Sequence, residues 1–198
     1  MKTIIYVTGT PGTGKTKIAS ILAKKFKGNY INLGKTCLEK GYVRRLNSAG
    51  KSPIVNLEKI SQHVKQIISK SNNQSLILDA HFIVKLSANL KPIIIVLRCE
   101  PTELVKRLRR KGFPEKKIYE NVWAEILDFC LQEALAADNA KNVYEVDTTS
   151  RKVENVVNEI LEIVRYRRKP AVGIYNWLET LEKSGKLEDM LFLGEREI

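Results

Sequence analysis

Short apolar runs alternate along the chain with segments of helical spacing. Ile4, Ile5, Tyr6 and Val7 form the first run and read as a buried strand. Ile18, Ala19, Ile21, Leu22 and Ala23 follow at helical intervals. Asn29 to Leu33 reads as a short second strand. Residues 34–56 are polar and irregular, with Gly34, Gly41, Gly50 and Pro53, and predict an excursion away from the sheet. Leu57, Ile60, Val64, Ile67 and Ile68 restore a helical pattern. Ser75 to Asp79 predicts a strand ending in an acid. Ile93 to Leu97 is continuously apolar, as in a strand covered on both faces.

The second half keeps this rhythm. Pro101 opens a helix, because its missing N–H costs nothing in a first turn. Leu104, Val105 and Leu108 lie on one face, and Gly112 and Pro114 break the pattern. One long amphipathic helix is then predicted over residues 115–137, with Ile118, Val122, Ile126, Phe129 and Cys130 inward. Val143 to Val146 is a fifth strand, and a helix spans about residues 151–164. Five strands alternating with helices predict an α/β fold, a parallel sheet covered on both faces. A basic run, Arg165 to Lys169, precedes Pro170 and separates residues 1–165 from a C-terminal extension, 166–198. Trp177, Leu178, Leu181, Leu187, Met190, Leu191 and Phe192 give the extension one or two short amphipathic helices. These either dock on the domain or form a partner-binding arm.

Composition narrows the class. The 198 residues are 43% hydrophobic, ordinary for a water-soluble domain, and no run approaches a membrane span. A strand begins within three residues of Met1, leaving no room for a signal peptide. Cys37, Cys99 and Cys130 follow neither zinc-ligand nor disulfide spacing, so reduced thiols in the cytoplasm are expected. The net charge of +12 is uneven. Residues 1–51 carry eleven Lys or Arg against Glu39, and residues 106–117 carry seven against Glu115. Residues 118–150 hold seven acids and only Lys141. Such clustering attracts polyanions: a nucleotide accounts for part of it, and RNA contact or plain solvated lysines for the rest.

The chemistry sits at the end of the first strand. Residues 9–16 read Gly-Thr-Pro-Gly-Thr-Gly-Lys-Thr, a complete P-loop between a strand and a helix. Backbone N–H groups and the helix N-terminus would cradle an anion. A nucleoside triphosphate is the expected ligand. Lys15 would reach the β- and γ-phosphates, and the Thr16 hydroxyl would ligate Mg²⁺. Asp79, at a strand end, would position Mg²⁺ or water, and His81 would orient an attacking water or a substrate phosphate. His63 lies within a helix and reads as structural or surface. Arg107-Leu-Arg-Arg-Lys-Gly-Phe predicts a cationic lid, in which Arg107 would stabilise a moving phosphoryl group and Lys111 would bind the nucleotide.

Together these pieces resemble the adenylate kinase 6 family, which includes a eukaryotic nuclear adenylate-kinase-like ATPase and archaeal counterparts. The matching segments are Gly9 to Thr16, Tyr30-Ile-Asn, Asp79-x-His81, Val96-Leu-Arg-Cys, Arg107-Leu, Glu145-Val-Asp-Thr-Thr and the block from Lys117 to Leu127. The resemblance covers about residues 1–165. It implies a P-loop fold of adenylate-kinase type with a five-stranded parallel sheet, a mononucleotide-binding insertion at about 31–54 and a short lid at about 107–117. It implies ATP with Mg²⁺ held by Gly12, Thr13, Gly14, Lys15, Thr16 and Lys17, adenylate kinase activity with AMP as acceptor, and ATP hydrolysis. It also implies binding to a platform protein of the small ribosomal subunit, and a part in maturing its RNA. Lys111 stands where many members carry arginine, Lys17 replaces a common threonine, and the insertion is basic rather than acidic. A nucleotide kinase and an ATP-driven assembly factor are both compatible with these motifs. A phosphate-binding module without chemistry fits poorly with intact Lys15, Thr16 and Asp79.

Overall fold

The computed structural model describes residues 3–44, 54–71, 75–87, 90–137, 142–166 and 168–193. Strand β1 (Ile4–Gly9) is buried throughout and runs into the glycine-rich loop and helix α1 (Lys15–Lys25). Strand β2 (Asn29–Asn32) ends at Asn32, whose side chain accepts from the Lys35 N–H and caps helix α2 (Leu33–Glu39). Leu33 therefore begins a helix rather than closing the strand.

The irregular stretch after it has more order than its composition predicts. Strands β3 (Val43–Arg44) and β4 (Ile54–Val55) pair antiparallel, and helix α3 (Leu57–Lys70) follows. Gly50 and Pro53, read as part of that excursion, lie outside the described residues.

Strands β5 (Leu76–Asp79), β6 (Ile93–Arg98) and β7 (Val143–Asp147) complete a five-stranded sheet of order β2-β5-β1-β6-β7, all parallel. Helix α2, helix α3 and helix α6 (Phe129–Ala136) cover one face through Leu33, Cys37, Ile60, Val64, Cys130, Leu131 and Ala134. Helix α1 and helix α7 (Val153–Tyr166) cover the other through Ile18, Leu22, Val156, Val157 and Ile160. Both faces are buried, which is why the strands read as unbroken apolar runs. No helix among the described residues is long and apolar enough to cross a membrane.

A third cluster lies apart from the sheet. Helices α4 (Pro101–Arg110) and α5 (Glu115–Ile126) pack through Leu104, Leu108, Ile118 and Val122. Helices α8 (Trp177–Lys183) and α9 (Leu187–Leu191) join them through Leu181 and Met190. Leu178, Leu191 and Phe192, expected as anchors, are instead exposed. Upstream of α8, the chain bridges Ala171 to Tyr144 in parallel, covering the β7 edge.

The predicted helix over 115–137 is two helices. The chain breaks at Leu127–Asp128, where Asp128 takes φ 56°. Asp tolerates this left-handed conformation better than most residues, and its carboxylate pairs there with Arg98. The break turns Phe129 outward, leaving it 53% exposed, against its predicted inward position.

Candidate functional site

The parallel register decides what meets the P-loop. Asp79 lies opposite Val7 on one side and Asn32 on the other, so all three strand ends open on the loop side. The loop is sterically committed: a Cβ on Gly9 would lie 2.4 Å from the Leu97 carbonyl oxygen, and one on Gly12 would lie 2.6 Å from Leu104 Cδ1. Helix α1 starts from Gly14 with no side-chain cap and no acid in its first turn. Its N-terminal N–H groups and dipole are therefore available to an anion. A cavity of about 650 Å³ opens onto them, lined by Gly12, Gly14, Lys15, Thr16, Lys17 and Lys111.

Within this cavity Lys15 Nζ donates to the Thr10 carbonyl oxygen at 3.1 Å. Burial lowers the pKa of its ammonium, partly opposed by Cys130, Asp79 and Glu125. The Thr13 hydroxyl donates to the same carbonyl at 2.9 Å. Asp79 is buried, and its Oδ2 accepts from Thr16 Oγ1 at 2.9 Å, Tyr30 OH at 2.8 Å and Asn32 Nδ2 at 2.8 Å. A hydroxyl and a carboxylate at hydrogen-bond distance beside a phosphate cradle are the hard oxygen donors that Mg²⁺ takes. The residues present thus fit a Mg²⁺–polyphosphate ligand.

A second cavity of about 410 Å³ adjoins the first, and Pro11 and Phe113 line both. Its wall is mostly apolar, from Leu38, Val43 and Val55 on one side and Ala124, Phe129 and Cys130 on the other. His81, Lys117, Glu120 and Asn121 supply polar groups. The His81 ring meets Phe82 edge to face at 5.3 Å. Desolvation and the Lys15 charge push the His81 pKa down, against an opposing pull from Asp79. The other histidine, His63, packs its ring against Tyr42 at 5.9 Å.

The predicted lid divides in two. Lys111, on the turn between α4 and α5, lines the phosphate cavity. Arg107 faces elsewhere: its guanidinium bonds Glu103 at 2.9 Å, Thr148 Oγ1 at 3.1 Å and the Thr148 carbonyl at 2.7 Å. The turn is closed by a bidentate pair from Arg109 to Glu115, which also depresses the Glu115 pKa.

Three groups escaped the sequence reading. Tyr30 and Asn32 stood in a matching segment with no role attached, because nothing local says that β2 lies beside β5. Glu125 is buried and accepts from the Thr10 hydroxyl at 2.6 Å. Arg98 is 1% exposed and sits among Glu125, Glu145 and Asp128. A run such as Val96-Leu-Arg-Cys is the available signal for it, since a charge ending an apolar strand needs buried partners.

Comparison with known proteins agrees with this geometry. A family model described as AAA domain matches residues 5–128. A Pyrococcus abyssi protein named "Putative adenylate kinase" is 37% identical over 182 residues, covering 91% of this chain and 94% of its own. Proteins of the same name from Pyrococcus furiosus and Methanocaldococcus jannaschii are 39% and 36% identical, over 91% and 88% of this chain and 94% and 93% of theirs. The chain belongs to this AAA-domain P-loop family. Among solved structures, a gluconokinase from Sinorhizobium meliloti matches with TM-score 0.50 at 12% identity, over 81% of this chain and 89% of that one. A tunicamycin resistance protein from Deinococcus radiodurans matches with TM-score 0.54 at 17% identity, over 83% and 96%. At such identities the likeness concerns the fold alone. The coarse conclusion is a nucleotide-binding, kinase-like protein.

Proposed function

We propose that the protein is an adenylate kinase that converts ATP and AMP into two ADP and also hydrolyses ATP. The observation that carries this is the adjacency of two unlike cavities sharing Pro11 and Phe113. The cationic one suits a triphosphate, and the apolar one suits the flat base of an acceptor nucleotide. In this reading Gly12, Thr13, Gly14, Lys15, Thr16, Lys17 and Lys111 hold ATP. Thr16 and Asp79 would hold Mg²⁺, which would supply positive charge to offset that of the transferring phosphoryl group. Tyr30 and Asn32 keep Asp79 oriented. Lys15 and Lys111 stabilise charge on the transferring group. Arg107 joins them on release from Thr148 and Glu103. His81, whose pKa is pushed down by burial and the Lys15 charge, can orient the acceptor phosphate or, in hydrolysis, accept a proton from the attacking water.

A second reading has a specific basis. His81 lines the cavity wall within reach of solvent, which favours hydrolysis when no acceptor is bound. With the basic N-terminal third, this supports an ATP-driven factor in maturation of the small ribosomal subunit. It would act in the cytoplasm on a platform protein and rRNA, with little or no kinase activity.

The experiment is incubation of the purified protein with ATP and Mg²⁺, with and without AMP, resolving ADP from phosphate. AMP-dependent ADP in excess of free phosphate supports the kinase, with a slower AMP-independent phosphate release as its hydrolytic activity. Phosphate release indifferent to AMP, and raised by small-subunit protein or RNA, supports the assembly factor. Neither product from wild type would remove both.

A further inference from the structure

The C-terminal extension reaches the phosphate cradle through one buried carboxylate. Glu125 Oε1 accepts three donors: Arg98 Nε at 2.8 Å, the Cys99 N–H at 3.1 Å and Trp177 Nε1 at 3.1 Å. Its other oxygen, Oε2, accepts the Thr10 hydroxyl. The Thr10 carbonyl is in turn the acceptor for Lys15 Nζ and for both Thr13 donors, N–H and hydroxyl. A continuous path of hydrogen bonds thus runs from Trp177 through Glu125 and Thr10 to Lys15. The tail has a second tie into the same charges. The Ile174 N–H donates to Glu145 Oε2 at 3.1 Å, and Glu145 pairs with Arg98. The Trp177 ring also lies 5.9 Å from the Arg98 guanidinium carbon.

A docking helix needs none of this. Leu181 and Met190 already anchor the extension on α5 by apolar burial. An indole N–H spent on a carboxylate that grips the first P-loop threonine does something else. It completes the donor set of Oε1, which fixes the plane of the carboxylate and so the direction of Oε2. We propose that Glu125 is a positioning residue for the phosphate cradle, and that Trp177 of the extension sets its orientation. The extension thereby tunes nucleotide affinity without touching nucleotide. The inference rests on the ATP reading of the cradle.

The test is a double-mutant cycle on the full chain, with a non-hydrolysable ATP analogue and Mg²⁺ in calorimetry. Trp177→Phe keeps the ring and removes the donor, and Thr10→Val removes the hydroxyl that Oε2 accepts. Each weakens analogue binding about three- to tenfold, the scale of one hydrogen bond, and Trp177→Phe, whose side chain lines neither cavity, leaves AMP binding unchanged. Thr10→Ser restores affinity. The double variant binds about as well as the weaker single, because both act through one carboxylate. Lowered thermal stability with unchanged analogue affinity in Trp177→Phe, or independent multiplication of the two effects, would overturn the proposal. Should Trp177→Phe not fold, linkage provides the same test in protein with an intact tail. Saturating analogue must then slow hydrogen exchange at the Trp177 indole, resolved from Trp123 with Trp123→Phe, and an unchanged rate overturns it. Wild type without analogue affinity would instead remove the ATP reading, and this inference with it.

Discussion

The two cavities that meet at Pro11 and Phe113 are built in opposite ways. The phosphate cradle comes largely from one contiguous run, Pro11 to Lys17, with Lys111 and Phe113 added from the turn after α4. Its binding groups are backbone N–H, a helix terminus and lysine side chains. The apolar cavity comes from distant segments: α2 and the β3–β4 ribbon, the end of β5, α5, and the start of α6. In the function proposed, the first binds charge that almost any nucleotide triphosphate carries, and the second decides what else can enter. Affinity for the common part of the ligand is thus written locally, whereas selection of the variable part depends on how remote elements pack.

Substitutions that affect one cavity alone sharpen this contrast. Lys15→Ala removes the cation nearest the phosphates. Steady-state ADP or phosphate formation falls about 10²- to 10³-fold, as when a preorganised transition-state donor is lost, while circular dichroism is unchanged. Leu38→Asp places a charge on the exposed rim of the apolar cavity. The KM for the acceptor rises about tenfold, within the range for losing an apolar contact and burying a charge, and the KM for ATP stays put. Equal changes in both constants would show that the cavities do not act separately.

Tyr30→Phe is subtler. It takes one of three donors from Asp79 Oδ2 and raises the Mg²⁺ concentration for half-maximal turnover about threefold, with fold and acceptor KM unaltered. The thiols behind the site bear on stability and leave the contrast between the cavities untouched. Burial pushes Cys130 up to about 11 and Cys99 up to about 12. A thiol whose pKa is raised by folding contributes stability that is complete below its unfolded value near 9. That contribution fades as pH climbs through the folded value. Urea unfolding of wild type against Cys130→Ala between pH 8 and 11 should show wild type losing on the order of 2 kcal/mol across that window. In native protein at pH 8, iodoacetamide should leave the three buried cysteines unmodified.

How far the sequence could be read follows from how local each signal is. The strands declared themselves because both sheet faces are covered, so β1 and β6 are apolar without interruption. Helix starts at Lys15 and Pro101 carried their own markers. Asp128 misled because a residue that favours a left-handed turn is common in helices too. Only its pairing with Arg98 identifies it as a break, and with the break unseen Phe129 was turned the wrong way. Arg107 and Lys111 looked equivalent within one basic stretch. They lie one helical turn apart and would share a face, but Lys111 stands past the end of α4 on the turn, so Arg107 meets Thr148 while Lys111 lines the phosphate cavity.

The sequence alone determined the P-loop, the α/β alternation and the candidates Lys15, Thr16, Asp79 and His81. These depend on spacing within a few residues or on burial of whole segments. Tertiary structure decided that Tyr30 and Asn32 steady Asp79, and that Arg98 is satisfied by three acids. It also decided that Trp177 touches the carboxylate behind Thr10. Those contacts join residues 27 to 52 positions apart, or 47 to 49 in the case of Asp79. A hydrogen bond acts over about 3 Å, so which distant groups share one is set by strand order and helix packing. No periodicity along the chain encodes that.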